Sequence, residues 1–396
     1  DYSQKLGRNI IPAKITLLFV IFLLFVITGL FVYLSHPEIA QFFVSSEKKS
    51  QYLIYYKNAI KCVKLITFFL LIAVLVGYDK ALVRKTLQTM LDIAPYIIII
   101  IAMNMLLFGR VADKYETIHF GEAKHGDFTS NTDCIGILVY MGLLGKGSSL
   151  FRRFISFIAL GCLVFIIMSV ASRNGLLCLI LITGITTLVA LKNQSMTIKA
   201  LLFGSGFAVL VVAGIALKDS PTILRFTAQT EAGGGDRLSY WYAGVEGVVE
   251  SPFFGLGGDE SASVYACSKY SPEVEDHVMH NTFLEFMVEY GLFGFAFYLI
   301  FVGTLLYHAY RNLRYALAVD DILLAYPGIA YFISIFAGLF ISRIWESTLW
   351  YYTILVFAVY LVWRKPVDDA LKNRKAHLIH GLPDPIMDPK LAANPQ

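Results

Sequence analysis

Two arginines and a histidine are the residues of this chain whose types and settings could do chemistry. Arg173 lies in SRNGLL (Ser172–Leu177), between two apolar blocks that leave almost no connecting loop. Arg237 ends the glycine-rich GGGDR (Gly233–Arg237), and His280 opens HNTFLEFMVEYG (His280–Gly291). A guanidinium presents a planar fork of donors that matches phosphate oxygens two at a time. A helix N-terminus disfavours a positive charge, which keeps an imidazole there neutral, as a general base requires. On one face, three such groups would bind an anion and take a proton, which at a membrane edge suits a lipid-linked phosphate. Each also has a plainer reading. An isolated arginine at a helix end is a snorkelling anchor about as often as a ligand. Asp236–Arg237 reads as a surface pair of little energetic weight. A lone histidine is more often structural than catalytic, and His277 competes with His280.

The elements that must hold these residues are membrane helices. Of the 396 residues, 57% are hydrophobic and 16% charged, where a soluble domain has about 25% charged. Apolar residues come in blocks long enough to cross a bilayer, which takes roughly 20 residues at about 1.5 Å each. Every backbone polar group in such a block must be satisfied within the segment, and that selects helix. Blocks such as Pro95–Phe108 lack the alternation of an outer-membrane barrel. The expected fold is all-α, a polytopic transmembrane bundle. Spans fall near Ile15–Leu34, Val63–Gly77, Leu91–Phe108, Cys134–Gly145, Phe154–Ala171, Gly175–Leu191, Ala200–Leu217, Thr282–Tyr307, Ile322–Ile341 and Thr348–Trp363.

Orientation follows from lysine and arginine. One set of connections carries Lys5, Arg8, Lys80, Arg84, Lys85, Arg152, Arg153, Arg311, Arg314, Arg364 and Lys365 among others; the alternate set carries fewer. The first set is therefore expected in the cytoplasm with both termini. Lys218–Asn281 then faces outward, far longer than the roughly 2–8 residues usual between helices. Within it Leu238, Trp241, Tyr242, Val245 and Val249 recur at helical spacing before Ser251–Pro252 and the turn-rich FFGLGG. The expected organisation is N-terminal membrane helices (1–217), an external cap with an amphipathic helix (218–281), C-terminal membrane helices (282–363) and a cytoplasmic tail (364–396). The cap is acidic on balance, which argues against docking on anionic headgroups. Net charge is +4, too small and dispersed for nucleic acid. The five cysteines show no CxxC spacing, and no His/Cys/carboxylate cluster suggests a metal. Cys267 is the cysteine expected to be reachable from outside.

SRNGLL, then GDRLSYW with a Ser-Pro-Phe turn at Ser251–Phe253, then HNTFLEFMVEYG, in that order around a long external loop, resemble the O-antigen ligase and polymerase superfamily of bacterial inner-membrane glycosyltransferases. The resemblance covers about Ser172 to Trp350. It implies a periplasmic transferase without a cofactor that takes a glycan from undecaprenyl pyrophosphate. It also implies that Arg173 and Arg237 bind the pyrophosphate and that His280 deprotonates the acceptor hydroxyl. Asn281, Arg110 and Arg343 also face outward and could join the site. Many ligases of this kind have about twelve spans, which sets the expected number at about 10–12. Ligase and polymerase differ in acceptor, a lipid A-core sugar or another lipid-linked repeat. SPFF followed by Asp259–Ser263 is closer to enterobacterial-type ligase loops and favours the ligase. A transporter of the same lipid-linked glycan would show mid-membrane charges and repeated broken helices; neither is apparent in the sequence.

Overall fold

The computed structural model describes residues 13–36, 38–39, 60–71, 80–107, 125–145, 148–169, 173–190, 197, 237–258, 260–271, 278–340 and 349–363. Among these residues the structure is helical, with no strand. The helices are α1 (Ala13–Leu34), α2 (60–71), α3 (Lys80–Leu107), α4 (His125–Leu144), α5 (Leu150–Ser169) and α6 (Arg173–Ala190). They continue with α7 (Arg237–Glu250), α8 (Glu260–Tyr270), α9 (Thr282–Ala318), a 3₁₀ turn at Ile322–Ala325, α10 (Tyr326–Ala337) and α11 (349–363). The expected span at Ala200–Leu217 lies outside the described residues. Helices α3, α5 and α9 contain stretches long and apolar enough to cross a membrane. Shorter apolar helices lie at Ile15–Gly29, Cys134–Leu144, Asn174–Val189, Ile322–Ala337 and Leu349–Trp363.

The bundle is as apolar outside as inside. Phe19, Phe22 and Val26 of α1 are buried, while Leu17, Val20, Leu24, Ile27 and Phe31 are exposed on the same helix. A water-soluble helix would put polar residues there; in a bilayer that side faces acyl chains. Burial of apolar area therefore cannot drive these helices together, and close approach with a few polar contacts must do so. A Cβ at Gly136 would lie 2.6 Å from Leu163, and one at Gly142 would lie 2.6 Å from Ser156 Oγ, so glycines let α4 approach α5. Thr183 of α6 donates to the Tyr140 hydroxyl of α4 at 2.7 Å. The Asn312 side-chain amide of α9 donates to the Val356 carbonyl of α11 at 3.0 Å.

Two ends can be told apart. At one, Arg84 near the start of α3 pairs with Asp321 after α9 at 3.0 Å, and Arg152 near the start of α5 pairs with Asp92 of α3. At the other, the Gly258 amide donates to the Gly29 carbonyl near the end of α1 at 3.0 Å, and the Thr282 amide to the Gly338 carbonyl just beyond α10 at 2.7 Å. The segment that carries α7 and α8 packs at this second end. Helices α7 and α8 share a small core of Tyr240, Ala243, Ala262, Ala266 and Cys267 with Ile39 beyond α1 and Leu284 and Val288 of α9.

Helix α9 is broken at Gly291 (φ 66°, ψ −174°), and the turn at 251–258 fills the break. The amides of Leu256 and Gly257 donate to the carbonyls of Val288 and Glu289 at 2.8 and 3.0 Å. The amides of Leu292 and Phe293 donate to the carbonyls of Pro252 and Phe253 at 2.8 and 3.4 Å. A broken membrane helix leaves orphan carbonyls on one half and orphan amides on the other. Here one turn of the cap satisfies two of each. The glycines are there for closeness as well as angle. A Cβ at Gly291 would stand 2.3 Å from the Phe253 carbonyl carbon, and one at Gly255 (φ 76°) would stand 2.5 Å from that of Glu289.

Candidate functional site

The cap end of the bundle gathers three pieces of chain: the first turn of α7, the residues that lead into α9, and the turn that follows α10. Arg237 is the first residue of α7, and its guanidinium carbon lies 5.9 Å from the centre of the Phe340 ring. Phe340 belongs to the turn whose Gly338 carbonyl accepts from Thr282. One helical turn after Arg237, Tyr240 meets His280 edge to face, with ring centroids 5.8 Å apart. Arg237 and His280 thus border one corner, with Tyr240 and Phe340 between and beside them. Both are partly exposed, so a ligand can reach them from outside the core.

His280 has a left-handed backbone, φ 50°. That conformation is uncommon for a residue with a side chain and persists only where neighbours enforce it. They do so on both sides. The Met279 amide donates to Ser263 Oγ of α8 at 3.0 Å. The Asn281 side-chain oxygen caps α9, accepting from the amides of Phe283 and Leu284 at 3.0 and 3.1 Å. Thr282 is tied to Gly338. Asn281, expected as a secondary site residue, is the N-cap that holds the backbone next to the histidine.

Arg173 opens α6, but its side chain lies outside the described residues, as do Arg110, Arg343 and His277 altogether. The backbone of Arg173 is at the cap end. Tyr140 near the end of α4 meets Thr183, well into α6, so α6 begins at the end where α4 begins. Cys134 of α4 is 3.4 Å from the Ser334 hydroxyl in the last turn of α10, which fixes that level beside the Gly338 turn.

Tyr240 is legible from its spacing, since it follows Arg237 by three residues and shares its helix face. Phe340 carries no such signal, because its contact is long-range. Two buried carboxylates, Glu285 and Glu289, stand one turn apart on the first part of α9. Cys267, expected to be accessible, is fully buried in the cap. Burial, and secondarily the nearby Glu285 carboxylate, push its thiol up to about 12. The expectation of labelling at this position is corrected: it is neither exposed nor ionised. Among the described residues no cluster of His, Cys, Asp and Glu could hold a metal.

These features define a polytopic helical membrane protein with a partly open corner where the segment of α7 and α8 meets the bundle. Residues 157–299 match the family described as O-Antigen ligase, a stretch that takes in Arg173, Arg237, His280 and the clasp at Gly291. That match supports placement in the O-antigen ligase superfamily, a family of lipid-linked glycan transferases of ligase or polymerase type. Among curated proteins none matches it.

Proposed function

We propose that this protein is an inner-membrane O-antigen ligase. It transfers a glycan from undecaprenyl pyrophosphate to a sugar hydroxyl of lipid A-core at the periplasmic face. The observation that carries this is the corner itself: a guanidinium and an imidazole held by different elements, the imidazole on an enforced left-handed backbone. Arg237, joined by Arg173 from the start of α6, binds the pyrophosphate. His280 accepts the proton of the acceptor hydroxyl as its oxygen bonds to the anomeric carbon. The bond from that carbon to the pyrophosphate oxygen breaks, and undecaprenyl pyrophosphate leaves with the charge spread against the arginines. Fixed cationic donors of this kind stabilise charge as it develops without reorganising.

The preference for ligase over polymerase rests on the SPFF turn and the residues after it. The surface glycan of a deletion strain separates the two. Lipid A-core without polymer, with polymer accumulating on the carrier, is the expected result. Core capped by single repeats would make the protein a polymerase. Unchanged glycan would remove both readings.

A further inference from the structure

Helix α7 carries its amphipathic character the wrong way round for a helix that packs by its large side chains. The buried residues are Tyr240, Ala243, Gly244 and Gly247. A Cβ at Gly244 would lie 2.5 Å from Leu284, and one at Gly247 would lie 3.0 Å from the Ala266 Cβ, so small residues let α7 sit close on α8 and α9. Leu238, Tyr242, Val245 and Val249 are 58, 58, 54 and 67% exposed. At about 100° per residue the two sets lie on opposite sides of the helix. Such a stripe in water is unfavourable and marks an interaction surface.

What covers it follows from what it joins. The chain runs from Val249 into Phe253 and Phe254, both exposed, whose rings stand 5.7 and 5.8 Å from that of Phe293. Phe293 begins an exposed apolar row on α9 with Leu292, Leu299 and Ile300. That part of α9 is long and apolar enough to span the bilayer, and its outward side faces acyl chains. The stripe of α7 continues this lipid-facing surface.

We propose that α7 lies in the bilayer interface at the cap end, with Leu238, Tyr242, Val245 and Val249 against the acyl chains of membrane lipid. Contact is apolar rather than electrostatic: Glu246 and Glu250 border the stripe, so anionic headgroups are not what it recognises. Interfacial helices of this kind bury one face about 5–10 Å into the headgroup–acyl boundary. The inference stands whether or not the chain transfers glycans, because it rests on the surface alone.

Full-length protein with Val245→Cys or Val249→Cys, and with Cys62→Ser and Cys162→Ser, is labelled with an environment-sensitive fluorophore and placed in phosphatidylcholine nanodiscs free of polyprenyl lipid. Leu238→Cys serves as a third position should either label disturb the cap. The expected result is blue-shifted emission that lipids spin-labelled at the fifth acyl carbon largely quench and aqueous iodide does not. Quenching by iodide in place of lipid would put the stripe in water and overturn the proposal. Protection from both quenchers would mean that protein covers it. Protection appearing only after polyprenyl phosphate is added would assign the stripe to a lipid-linked ligand. Either of these results also overturns the proposal.

Discussion

His280 is held at φ 50° by a serine of α8 behind it and the capped start of α9 ahead of it. A left-handed conformation costs a residue with a Cβ about 1–2 kcal/mol that glycine does not incur. His280→Gly should therefore be at least as heat-stable as His280→Ala in detergent, although both remove the imidazole. Both should lose transfer, since a positioned base typically contributes about 10²–10⁴-fold. His280→Gln, which can accept a hydrogen bond but cannot carry the proton away, should be impaired in the same way. Turnover of purified protein with lipid-linked donor and acceptor measures this, and near-wild-type rates in His280→Ala would remove the residue from the mechanism. Arg237 and Arg173 call for a different test, because charge alone is not what binds a pyrophosphate. A lysine is a compact point charge without the guanidinium's fork, so Arg237→Lys and Arg173→Lys should weaken donor binding while expression is kept. Full transfer by both variants at limiting donor would return these arginines to an anchoring role.

The clasp between the turn at 251–258 and the break in α9 links the segment of α7 and α8 to a membrane helix through backbone alone. Gly291→Ala meets two obstacles there: a left-handed φ and a Cβ 2.3 Å from the Phe253 carbonyl. The second cannot be relieved by turning a side chain, because the atoms it meets are backbone. The variant should lose more than the about 1–3 kcal/mol of backbone strain, seen as loss of the monodisperse peak after mild heating. Gly303→Ala, in the same helix with nothing within 4 Å of its Cβ, should be tolerated. Equal stability of the two would mean that the break does not hold the cap. Long apolar blocks made the membrane helices legible in the sequence, since length and hydropathy need no partner to be read. The break was not legible: glycine is common in membrane helices, and only the amides arriving from 256 and 257 reveal what Gly291 does. The apolar spacing of Leu238, Tyr242, Val245 and Val249 announced a helix correctly but not which side it buries. Glycines in contact with Leu284 and Ala266 decided that. Arg237 and His280 could be picked by type and setting; that Tyr240 and Phe340 would surround them depended on tertiary packing.

At the scale of the molecule, the basic connections and the cap fall at opposite ends. Arg84, Asp321, Arg152 and Asp92 mark one end through their ion pairs. Gly258 on Gly29 and Thr282 on Gly338 mark the other. Lysine and arginine are retained on the cytoplasmic side during insertion, so the cap end is expected to face the periplasm with the site. Two substitutions test this with the membrane intact. Lys269 is exposed on α8 and its ammonium donates to Glu250 at 2.6 Å; losing one surface pair is worth about 1 kcal/mol at most, so Lys269→Cys should fold. Ser149 sits exposed just before α5 at the basic end. Native Cys267 stays silent because it is buried and its thiol is pushed to about 12, and Cys62→Ser with Cys162→Ser removes the two partly exposed thiols. In spheroplasts an impermeant maleimide should modify Lys269→Cys at once and Ser149→Cys only after the membrane is permeabilised. The reverse pattern would invert the protein and put the corner of Arg237 and His280 in the cytoplasm, where a periplasmic glycan transfer could not use it. Immediate modification of both would separate the two ends from the two sides of the membrane and undo the span assignment between them.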